Sequence, residues 1–209
     1  TSFLRPPEPT HLVAPLRDFI MLHRLQTLLI RSAHTVGFIP LLAMRLYLVP
    51  QFWMAGTSKL MHFSDTVASF GNDLHMPFPT LMAGLATTTE LAGAVCLLLG
   101  FGTRWIALPL MVTMIVAAVT VHLPNGWGAI TGDGGQYAKA KEHLSNHLEW
   151  LETNEPDSYE YLTQHGTPTI VNNGVEFAVI FTIMLLTLFC FGAGRWLSVD
   201  YWMARKWGK

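Results

Sequence analysis

Four stretches of this chain run for about twenty residues almost without charge, and that pattern fixes what it can fold into. Residues 37–62 carry only Arg45 before Lys59, and residues 79–100 only Glu90. Residues 105–123 hold no Asp, Glu, Lys or Arg, and residues 171–194 only Glu176. About 20 apolar residues at 1.5 Å rise cross a ~30 Å hydrocarbon core, and a helix satisfies its own backbone there. Four such blocks predict four transmembrane helices. A water-soluble alternative fails for want of surface. With 51% hydrophobic and 13% charged residues, too few polar side chains exist to cover four long apolar helices. The same composition, at net charge −1, excludes a disordered chain and a nucleic-acid-binding domain. Two cysteines exclude a disulfide scaffold. Cys96 and Cys190 each precede by four residues the glycine that ends their block, and both read as apolar packing.

Basic residues set the orientation. Arg5, Arg17, Arg24 and Arg31 precede the first block, Arg104 joins the second to the third, and Arg195, Arg205, Lys206 and Lys209 follow the fourth. The opposite side holds only Lys59, Lys139 and Lys141. Positive residues stay cytoplasmic, so both termini are expected inside a bacterial-type inner membrane. No apolar run of a cleavable signal opens the chain. Residues 15–35 repeat arginine every seven positions (Arg17, Arg24, Arg31) opposite Leu22, Leu25 and Leu29, which predicts an interfacial amphipathic helix. The polar loop 124–170 starts with turn residues, with a second turn at Gly132 to Gly135. It then shows a helical face of Ala140, Leu144, Leu148 and Leu151. A short helix follows over residues 155–165, with Pro156 in its first turn. The expected fold is all-α: a transmembrane four-helix bundle with an N-terminal interfacial helix and a small helical outer cap. Its segments are a cytoplasmic 1–36, a membrane domain 37–204 and a cytoplasmic tail 205–209.

Ionisable groups inside a membrane cost enough to mark candidate sites. Counted from the block ends, Glu90 and Arg45 lie about 4 Å apart in depth, so they are expected to pair. Such a pair either pins helix register or forms a polar site for a ligand or proton. Glu176 shares a helix face with Asn172 and Asn173, and Lys59, His62 and His122 lie at facing helix ends. These groups are expected to converge under the cap, as a site or as an ordinary polar helix entry. His143 and His147, four residues apart, could share a metal with His165, or merely face solvent. Gly84, Thr88, Ala92 and Gly93 form a small-residue stripe expected to pack the bundle.

These pieces carry a resemblance. Arg45, then Gly56-Thr57-Ser58-Lys59, then Glu90-Leu91-Ala92-Gly93, then Leu99-Gly100-Phe101-Gly102-Thr103-Arg104, then Gly194 to Asp200, together resemble the DoxX family. Asn172 to Phe177 and the enlarged outer loop are similar to its HvfX-like subgroup. The resemblance implies a four-helix membrane protein. Small size, no complete catalytic motif and the arginine-striped N-terminal helix point to an accessory subunit of a redox-linked, quinone-associated membrane complex. A copper-handling or copper-peptide maturation role and a quinone-reactive oxidoreductase are the alternatives. Quinone and copper therefore both stand open as cofactors, and lipid and other membrane subunits are the expected partners. No catalytic residue is assigned.

Overall fold

The computed structural model describes residues 23–33, 35–130 and 137–207. Arg5, Arg17, Leu22, the turn at Gly132 to Gly135 and Lys209 lie outside them. The chain divides into two units, Thr1–Pro40 and Leu41–Lys209. In the first, residues 23–33 are helical, with Leu25 and Leu29 exposed.

The remaining helices are α1 (Phe38–Met61), α2 (Phe63–Asn72), α3 (Pro79–Leu99), α4 (Thr103–Ala117), α5 (Ala138–Asn154), α6 (Pro156–Thr163), α7 (Glu176–Phe191) and α8 (Val199–Trp207). α4 continues through a π-helical turn, Ala118–His122, and a 3-10 turn, Leu123–Asn125. α1, α3 and the run Thr103–Asn125 are long and apolar enough to cross a membrane. Large apolar side chains such as Met54, Leu81, Val112 and Ile183 are exposed around the bundle, where lipid rather than water is their natural solvent. These properties mark an integral membrane protein with an all-α fold.

One cluster of buried side chains joins four helices: Leu48 and Phe52 of α1, Ala94 and Leu97 of α3, Ala107 and Leu110 of α4, Leu185 and Leu188 of α7. Close backbone approach sets the register. A Cβ on Gly93 would lie 2.7 Å from a Leu110 methyl, and one on Gly56 2.8 Å from Leu91 Cγ. The expected stripe is thus only partly right. Gly93 packs inward, but a Cβ on Gly84 would meet nothing within 4 Å, and Thr88 and Ala92 are exposed. The buried face of α3 is Ala83, Thr87, Glu90, Gly93, Ala94 and Leu97, which places Gly84, Thr88 and Ala92 on the outward side.

Two expectations need correction. The fourth block is not helical throughout: α7 has 16 residues, because Val171 to Val175 form an irregular segment hydrogen-bonded to residues 126–130. Hydropathy cannot tell an apolar strap from an apolar helix. The connection after α1 also holds a helix, α2, that the charge pattern did not announce. The cap helices fall where expected, with Leu148 and Leu151 buried.

Candidate functional site

Three polar clusters lie in or at the ends of the spans. The first is Arg45. Gly100, at φ 64°, ends α3 in the left-handed conformation that glycine tolerates. The carbonyls of the last helical turn need partners there: the Gly100 and Phe101 amides reach those of Leu97 and Cys96, and Leu98 is left over. Arg45, 1% exposed, takes it up. Its Nε donates to the Leu97 carbonyl at 2.8 Å and its Nη2 to Leu98 at 3.1 Å. Its Nη1 reaches Ala193 at 2.9 Å and Leu197 at 3.1 Å. A cation at a helix C-terminus is also favoured by the helix dipole. A Cβ on Gly100 would lie 2.6 Å from Arg45 Nη2, so the turn and the guanidinium fit one another. Asp200 completes this end. Its two carboxylate oxygens accept the Gly102 and Thr103 amides at 2.7 and 3.0 Å, capping α4.

The expected Arg45–Glu90 pair is therefore not formed. Arg45, Leu48, Phe52 and Gly56 make the buried stripe of α1, and Lys59 is one turn further on the same face. Gly56 sits against Leu91, which puts Lys59 opposite Glu90. Arg45 lies level with the end of α3 instead, about 10 Å along the axis from Glu90. α1 starts beyond the end of α3, so depths counted from block ends were out of register.

The second cluster is the ion pair that forms instead. Lys59 Nζ lies 2.9 and 2.7 Å from the two Glu90 carboxylate oxygens. The Glu90 side chain is 4% exposed and that of Lys59 27%. Burial of a lone carboxylate in this setting would be costly, and the ammonium offsets that cost. Just beyond Lys59 the helix breaks. The His62 amide still bonds the Ser58 carbonyl, but the ladder resumes only with the Thr66 amide on the His62 carbonyl. The His62 ring stays beside the Ser58 carbonyl at 3.2 Å. His62 and Lys59 thus do not join Glu176.

Glu176, Asn172, Asn173 and His122 do come together, as a backbone fastening. Amides of Asn172, Gly174, Val175 and Glu176 donate to carbonyls of Ala129, Gly128, Gly126 and Trp127. Glu176 Oε2 returns the favour, accepting the Ala129 amide at 3.1 Å. Asn172 Nδ2 donates to the Asn125 and Gly128 carbonyls, and the His122 ring lies 3.0 Å from the Asn173 carbonyl. Asn173 adopts φ 55°, and a Cβ on Gly174 would run into the Gly126, Trp127 and Gly128 carbonyls. Among the described residues, buried Asn172 Oδ1 finds no hydrogen-bond partner.

The three candidate metal histidines of the loop 124–170 are not assembled into a site. His143, His147 and His165 are exposed, and the His147 ring stacks on Trp150 at 5.9 Å between centroids. Among the described residues no three His, Cys, Asp or Glu side chains are placed to hold a metal ion. Sequence reasoning missed the register glycines Gly56 and Gly100 and the capping role of Asp200. Gly100-Phe101-Gly102, a glycine pair immediately before α4, was the available signal for that turn.

The DoxX family model matches residues 40–123, which include Arg45, Lys59 and Glu90. The strap, the cap helices, α7 and the Asn172 to Phe177 likeness to HvfX-like proteins lie outside that stretch. No curated protein and no solved structure matches the chain.

Proposed function

We propose that the chain is an accessory subunit of a redox-linked complex in a bacterial-type inner membrane. The Arg45 end, with both termini, faces the cytoplasm in this reading. The observation that carries it is the outward turn of Gly84, Thr88 and Ala92 on α3. In lipid, helices associate through faces of small residues that let backbones approach, and such a face turned away from its own bundle suits a helix of another subunit. The uses of Arg45, Asp200 and Glu176 agree with this, since their hydrogen bonds go to backbone and leave little for chemistry. Purification from native membranes in mild detergent tests it. A stoichiometric partner should accompany the wild-type chain and be lost with Thr88→Leu/Ala92→Leu, whose sites lie outside the core. A single species without a partner rejects the reading.

The Lys59–Glu90 pair favours a second reading, a quinone-reactive oxidoreductase. It is an ion pair within the spans, Lys59 is a quarter exposed, and the α1–α2 break adjoins it. Here Lys59 would hold a quinone carbonyl and Glu90 would exchange the proton. Solvent extraction of the purified protein should then yield quinone from the wild type and none from Glu90→Gln. Absence of quinone from the wild type rejects it.

A further inference from the structure

The surface of the Arg45 end is basic and aromatic, and Asp200, a carboxylate there among the described residues, is spent inside. Both oxygens of Asp200 point at the Gly102 and Thr103 amides. The Asp200 amide also donates to the Gly100 carbonyl at 3.0 Å, which stitches the first turn of α8 to the α3–α4 turn. That stitch brings Arg104, next to Thr103, to the base of α8. Arg205 and Lys206 follow Asp200 by five and six residues, about 8–9 Å along the helix. Arg195 lies on the intervening loop, three residues beyond Gly192, and a Cβ on Gly192 would sit 3.3 Å from Arg104 Nε. Arg104, Arg195, Arg205 and Lys206 are all exposed, and among the described residues none has a carboxylate partner.

Two of these cations lie over aromatic rings. The Arg205 guanidinium lies 5.7 Å from the Trp202 ring and the Lys206 ammonium 6.0 Å from the Trp207 ring. Trp202 is itself held, its Nε1 donating to the Trp196 carbonyl at 2.8 Å. Beside the cations the surface is apolar: Trp105 is 81% exposed and Phe191 70%. A ligand that suits both halves carries an anionic head and hydrocarbon tails, and belongs at the level where the spans end.

We propose that this end of the bundle binds an anionic phospholipid, its phosphate among Arg104, Arg195, Arg205 and Lys206 and its acyl chains along Trp105 and Phe191. Free phosphate would use the cations but gain nothing from the apolar border, and a zwitterionic lipid the reverse. The proposal rests on the membrane reading alone and is independent of any partner subunit or quinone.

The full chain, extracted from vesicles of equal phosphatidylglycerol and phosphatidylcholine, is examined by native mass spectrometry. The wild type should retain the anionic lipid several hundredfold over the zwitterionic one, at about fivefold for each of the four cations. Arg205→Gln/Lys206→Gln should lose about 30-fold of that preference, at about fivefold per cation. Arg195→Gln, in a loop outside every helix, should lose about fivefold, and circular dichroism should show unchanged helix content in both variants. Millimolar inorganic phosphate should leave the bound lipid in place. Equal retention of the two lipids by the wild type, unchanged preference in both folded variants, or displacement by inorganic phosphate would overturn the proposal.

Discussion

Lys59→Met removes the ammonium that faces Glu90 and leaves the carboxylate 4% exposed among apolar neighbours. At 2.7 Å and an effective dielectric of about 20, the pair attracts by about 6 kcal/mol, most of which offsets desolvation. Stranding one member of a buried pair typically destabilises by about 3–5 kcal/mol. For a chain of this length that lowers Tm on the order of 10 °C. The reverse change, Glu90→Leu, should cost less, about 2 kcal/mol, because Lys59 is a quarter exposed and can extend its ammonium outward. The double variant, Lys59→Met/Glu90→Leu, replaces the pair by apolar groups of similar size and should return to within about 1 kcal/mol of wild type. Thermal unfolding in detergent, followed by circular dichroism, measures all four species. The order expected is wild type near the double variant, then Glu90→Leu, then Lys59→Met. If the double variant loses as much as the two single variants together, the groups do not interact and the register argued from Gly56 and Leu91 is wrong.

Arg45→Met should destabilise by about 3–5 kcal/mol in the same unfolding assay, since it removes four hydrogen bonds, two of them buried. Arg45→Lys should recover little of this, because a point ammonium cannot reproduce the guanidinium fork. The two α3 glycines should part company: Gly84→Ala should raise stability by about 0.5–1 kcal/mol, whereas Gly93→Ala, pressed against Leu110, should lower it by about 1–3 kcal/mol. Asn172→Ala should loosen the strap and cost about 1–3 kcal/mol, with faster amide exchange at Ala129 and Gly174 as its local mark. A copper titration should give the same curve for the wild type and for His143→Ala/His147→Ala.

The membrane class, three of the spans and both cap helices were legible because each rests on a local signal: an apolar run long enough to cross lipid, or a 3.6-residue period. The polar partners were not, because they depend on how far one helix slides along another. Arg45 and Lys59 occupy the same stripe of α1 two heptads apart, and either would have suited Glu90. Gly56 against Leu91 decides between them, and no spacing within one segment reveals that contact. The same holds for Gly84 and Gly93, which read alike in sequence and face opposite ways in the fold. Glu176 lies beside Asn172, Asn173 and His122, whereas Lys59 and His62, which the sequence placed with them, do not join it. Its oxygen, however, serves the Ala129 amide, on a loop more than forty residues away in the chain.

The central claim, that the outward face of α3 receives a helix of another protein, is tested most directly by photocrosslinking in native membranes. A benzoylphenylalanine at Val95, exposed one turn beyond Ala92 and outside the small-residue stripe, should give a discrete adduct with a second protein. The same probe at Val112, exposed on α4, serves as the lipid-facing control and should give none. No protein adduct at Val95, or equal adducts at both positions, would contradict the account.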